Sequence, residues 1–127
     1  MIELQDSITR ENIRVLMTLF YEKAIGDEVL GPFFVDELGD DIENEDWQEH
    51  IELLADFWLA MLLKVGPYWG NPSGAHFNIP HLTRKSFMTW LELFSQTADE
   101  VYVADIATKF KEKGVVLSEQ FMCDLMI

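Results

Sequence analysis

Between positions 47 and 62, Trp47, His50, Ile51, Leu54, Trp58, Met61 and Leu62 recur at i, i+3, i+4, i+7, i+11, i+14 and i+15, which places all seven on one face of an α-helix. Such a face must be buried against other helices, and the chain supplies them. Ile13, Leu16, Met17, Phe20, Tyr21 and Ala24 form a second stripe; Phe87, Trp90, Leu91, Phe94 and Ala98 form a third. A fourth holds Val103, Ile106, Ala107, Phe110, Leu117, Phe121 and Leu125. No segment alternates with a period of two and no repeat is visible, so the pattern predicts one all-α domain over 1–127 with four main helices.

The boundaries carry their own signals. Thr9 caps the first helix, Glu11 suits the positive end of its dipole and Gly26 ends it. The stretch "EVLGPFFVDELGDDIENED" then reads as a Gly-Pro turn, two phenylalanines and an acidic run. It lacks the acidic spacing and central glycine of a calcium loop, and is expected to be solvated surface and helix entry. The second helix runs from about Asn44 to Lys64, where "GPYWGNP" stops it. Thr83 caps the third, and the fourth extends from about Asp99 to Met126, with Gly114 expected to weaken or bend it. The link from Val65 to Leu82 is much longer than the roughly 2–8 residues usual between packed helices, which favours a functional loop.

Charge and cysteine content narrow the function classes. Nine basic against 23 acidic side chains leave a formal charge of −14, which repels phosphate backbones and anionic lipid, so neither nucleic acid nor membrane is an expected partner. The single Cys123 excludes an internal disulfide and any cysteine-based metal cage. The start, "MIELQDSITR", lacks the basic-then-apolar order of a secretory signal, and a cytoplasmic setting is expected.

Three side chains with polar tips, Tyr21, His50 and Trp90, fall on stripes that should be core. Left unpaired in an apolar interior, each polar tip would cost about 1–3 kcal/mol, so each needs a partner in the protein or in a ligand. Any one of them is an ordinary satisfied core residue; together, beside a loop carrying His76 and His81, they suggest an apolar cavity with convergent donors. Zinc is a poor occupant, because Glu49-His50 has no second histidine at the HExxH offset and His76 and His81 straddle Pro80. A haem asks for one neutral imidazole on one side, apolar walls, and polar groups opposite. This inventory is present, with either His76 or His81 as the imidazole.

The motifs "LFYEKAIGDEVLGPFF" (19–34), "WQEHIELLADFWLAMLL" (47–63), "YWGNPSGAHFNIPHLT" (68–83) and "FMTWLELF" (87–94), in this order and spacing, resemble the truncated haemoglobins, in particular their third group. The resemblance covers nearly the whole chain and implies a globin-like two-over-two α-helical sandwich around a b-type haem. The absence of Gly-Gly agrees with that group. It further implies that His76 is the iron ligand and His81 is not, and that Tyr21, His50 and Trp90 are the distal residues. By the same resemblance Phe34 is expected to pack on the haem, with Phe33 as the alternative register, and Leu54 to face the ligand. Dioxygen and related diatomic molecules are the implied ligands. Nitric oxide dioxygenation with a reductase, and peroxidase-like chemistry, are activities that the resemblance allows. A hydroxyl donor at Tyr21 favours tight retention over simple delivery. The cations closest in sequence to the loop, Arg84 and Lys85, with Lys64 and His81, are candidates to meet the haem carboxylates or are ordinary surface charges. The rival class is a cofactor-free helical interaction module whose aromatics are plain core.

Overall fold

In a computed structural model, which describes residues 3–68, Gly70, Pro72, His76 and 79–127, five α-helices follow one another. They are α1 (Arg10–Ile25), α2 (Gly31–Leu38), α3 (Glu45–Leu63), α4 (Arg84–Val101) and α5 (Ala104–Leu125). Helix α1 packs on α3, α4 packs along α5, and α1 joins the pairs by also packing on α4. The result is an all-α arrangement of two helix pairs, the two-over-two layering that the resemblance implies.

The caps explain most boundaries. At α1 and α4, Thr9 and Thr83 form reciprocal capping boxes with Asn12 and Ser86. Asn44 caps α3 by accepting from the Trp47 backbone N–H at 2.8 Å, and Lys64 ends that helix in a left-handed conformation. Between the pairs lies an aromatic stack, in which Phe94 is sandwiched between Trp58 at 4.9 Å and Trp90 at 4.8 Å, with interplanar angles of 14° and 11°.

Three expectations change. The Gly-Pro pair opens a helix, α2, so that the described residues hold five α-helices where the periodicity predicts four. Proline fits the first helical turn because its missing N–H needs no partner there, and the Asp27 carboxylate accepts from the Val29 and Leu30 N–H groups just before it. The break between the last two helices falls at Tyr102 and Val103, later than the predicted Asp99. It is held there by Gln5, whose N–H donates to the Val101 carbonyl at 2.8 Å and whose carbonyl accepts from Val103 N–H at 2.9 Å. Finally, α5 runs through Gly114 as one helix, with that position packed closely under Leu91 and Phe94 of α4.

Candidate functional site

Tyr21 sits on the buried stripe of α1 at 2% exposure, so its hydroxyl requires a partner. That partner is His50 of α3, whose Nε2 lies 3.0 Å from the Tyr21 oxygen. Desolvation pushes the Tyr21 phenol well above its ordinary range and pushes the His50 imidazole down to about 4. Both groups are neutral near pH 7, and the direction of their hydrogen bond is set by the imidazole tautomer. With the proton on Nδ1, the Tyr21 O–H donates to His50. With it on Nε2, His50 donates to the Tyr21 oxygen and the phenolic proton is released to another acceptor.

Aromatic side chains from two further directions enclose this pair. Phe34 of α2 lies 5.2 Å from the Tyr21 ring and 6.5 Å from His50. Trp47, one helical turn before His50, lies 4.9 Å from Tyr21 and 5.7 Å from His50. Leu54 and Phe34 are half-buried and pack on the same core, as does Trp90. Trp90 reaches Tyr21 through Phe20, which is 5.8 Å from Trp90 and 4.9 Å from Tyr21. Only Tyr21 of the three polar-tipped residues is fully buried; His50 and Trp90 are half-buried. Phe33 is half-buried as well, and the ring packed on Tyr21 is that of Phe34.

The two histidines of the long loop occupy different surroundings. His76 is half-buried, with its ring 4.6 Å from Phe121 of α5 and 5.8 Å from Phe87 of α4. Its Nδ1 lies 2.8 Å from the Pro72 carbonyl oxygen, which can only accept, so Nδ1–H is the donor and Nε2 carries the lone pair. Burial holds the His76 pKa below the ordinary histidine value, against a smaller upward pull from the Pro72 carbonyl. A neutral, oriented imidazole of this kind is what a metal-ligating histidine requires. His81, by contrast, is exposed at a φ of 68°, in left-handed backbone. Trp69, Asn71, 73–75, Phe77 and Asn78 lie outside the described residues, so the loop reading is followed only at Gly70, Pro72, His76 and 79–83.

Helix α4 links the two sets of groups, with Phe87 near its start against His76 and Trp90 and Phe94 further along against Phe20. The candidate cations Lys64, His81, Arg84 and Lys85 are exposed, and Arg84 donates to the Ile127 carbonyl at 3.2 Å. Among the described residues, no group of three or more His, Cys, Asp or Glu side chains is placed to hold a metal ion, and no helix is long and apolar enough to cross a membrane. The one oriented, neutral imidazole of His76, flanked by Phe87 and Phe121, fits a metal whose remaining ligands come from a macrocycle. Trp47 lies against His50, and Phe87 and Phe121 lie against His76. Sequence reasoning gives these three only a core place, because an aromatic residue on an apolar stripe carries no separate signal.

No family model matches the chain. A curated protein of Campylobacter jejuni, "Group 3 truncated hemoglobin ctb", is 33% identical over 116 residues, which span 91% of this chain and 90% of that protein. The crystal structure of a group III truncated hemoglobin from the same species superposes with a TM-score of 0.89 at 32% identity, covering 97% of this chain and 95% of that one.

Proposed function

Because the chain belongs to the group 3 truncated haemoglobins, and so to the haem-binding globins, we propose that it holds a b-type haem through His76 and binds dioxygen and related diatomic molecules beside Tyr21, His50 and Trp90. The observation that carries this reading is the hydrogen bond from His76 Nδ1–H to the Pro72 carbonyl, which leaves Nε2 as a lone-pair donor of fixed orientation. A bound haem supplies an iron centre with one position for the protein imidazole and one for a small ligand.

The residues of this chain do the rest. Phe121 and Phe87 limit the rotation of the His76 ring. Phe34 and Leu54 provide apolar wall and keep water from the Tyr21 hydroxyl. Tyr21 donates its phenolic proton to a partly negative ligand atom when His50 is protonated on Nε2 and turns toward the Tyr21 oxygen as donor. Trp90, fixed by its stack on Phe94, brings a second N–H donor to the same side. A hydrogen bond to such an acceptor contributes roughly 1.5–3 kcal/mol, enough to slow release about tenfold or more. That favours ligand chemistry or sensing over bulk transport. In the first case an electron donor of the reductase class is the partner required.

Absorption spectroscopy after reconstitution with haem tests the reading. A Soret band with one haem per chain is expected. Its absence in a folded protein leaves the cofactor-free helical module as the better description.

A further inference from the structure

Tyr21, Phe34, Trp47 and His50 form a four-ring cluster in which every pair is in ring contact. The polar atoms of Tyr21 and His50 meet each other, whereas Trp47 bonds outside the cluster. Its indole Nε1–H donates to the Gly39 carbonyl at 2.8 Å, and the side chain is 0% exposed. Its backbone N–H is held as well, by Asn44, whose amide also donates to the Leu38 carbonyl at 2.8 Å. Gly39 itself stands at φ 86° and ψ −179°, a conformation open to glycine and costly to residues with a Cβ. The direction of its carbonyl therefore depends on that residue being glycine.

Burial alone obliges the indole N–H to find an acceptor; the place of that acceptor, Gly39 in the α2–α3 connection, is what ties the ring's position to a segment outside the cluster. Here the indole is fixed at both ends of its own residue, and its ring bears on Tyr21 at 53° and on His50 nearly edge-on at 83°. We propose that Trp47 is a positioning residue for the Tyr21–His50 pair, referencing the point where hydroxyl and imidazole meet to the Gly39 carbonyl in the α2–α3 connection. Movement of that connection is thereby transmitted to ligand retention. The inference rests on the reading of Tyr21 and His50 as the ligand-facing pair.

Trp47→Phe, Gly39→Ala and the double variant, all loaded with haem, provide the test. Trp47→Phe keeps an aromatic ring and loses the N–H donor; Gly39→Ala keeps the indole and displaces the carbonyl. Each single variant is expected to release dioxygen roughly tenfold faster than wild type, and the double variant no faster than Gly39→Ala alone, because both changes break the Trp47–Gly39 hydrogen bond. Nitrogen NMR of the His50 side chain is expected to give one tautomer in wild type and a mixture in both single variants. Wild-type release and a single His50 tautomer in Gly39→Ala overturn the proposal, as do additive effects in the double variant. Should Trp47→Phe fail to hold haem, Gly39→Ala carries the test with the indole in place. Tyr21→Phe is the control: unchanged release there removes the ligand-facing reading, while the His50 spectrum still reports whether Trp47 sets the position.

Discussion

Tyr21 and His50 are each other's partners in a setting that keeps both neutral, and this makes a hydroxyl available as a donor without a charge nearby. Tyr21→Phe removes the donor and little volume, so dioxygen release followed by stopped-flow mixing is expected to accelerate about tenfold to a hundredfold. An unchanged rate removes Tyr21 from the distal side. His50 gives a second prediction. Its folded pKa, about 4, lies below that of the unfolded chain, so the unfolded chain takes up this proton first on acidification. The contribution to stability is thus complete above the ordinary histidine value and is lost as the pH falls from there toward 4. The comparison is made against His50→Gln, which isolates the contribution of this one group. Wild type is expected to lose about 1–3 kcal/mol relative to that variant between pH ~7 and ~4.5 in chemical denaturation, and parallel curves contradict it. At this scale the stripe spacing made Tyr21 and His50 legible, since a polar tip on an apolar face demands a partner. It did not distinguish His76 from His81, which differ through the Pro72 carbonyl and the Phe121 ring. Nor did it single out Trp47, whose informative atom is bonded to backbone eight residues away.

Helices α4 and α5 approach closely at Gly114, where an added Cβ would lie 3.2 Å from Leu91 Cδ1 and 3.4 Å from Phe94 Cδ2. Phe94 cannot yield easily, because Trp58 and Trp90 hold it on both faces. Gly114→Ala is therefore expected to destabilise the protein by about 1–3 kcal/mol despite alanine's higher helix propensity, measured as a lower urea midpoint. It should also disturb Trp90 through the stack. A stabilised variant would mean that the α4–α5 seam relaxes freely. The long helices were legible from their stripes and caps. Helix α2 was not, because eight residues give too few repeats for a period and its Gly-Pro start reads equally well as a turn. The α4–α5 boundary was displaced for another reason. It is set by Gln5 pairing across the gap and by the buried bond from the Tyr102 hydroxyl to Asn12 at 2.7 Å, both tertiary contacts far apart in sequence.

For the molecule as a whole, the two-over-two packing brings together groups that the sequence scatters. Arg10 of α1 pairs with Glu52 and Asp56 of α3, and Arg14 joins Glu52 at 2.9 Å, so the two helices that carry Tyr21 and His50 are also tied at their surface. Partly solvated pairs of this kind contribute little stability each, and the aromatic core dominates. The central claim is that this sandwich holds haem iron through His76. Resonance Raman spectroscopy of the reduced, ligand-free protein tests it directly through the iron–histidine stretching band. The account predicts that band in wild type and in His81→Ala, and its loss in His76→Ala. A band that survives in His76→Ala and disappears in His81→Ala would contradict the assignment of the iron ligand and, with it, the orientation of the haem between the two sets of residues.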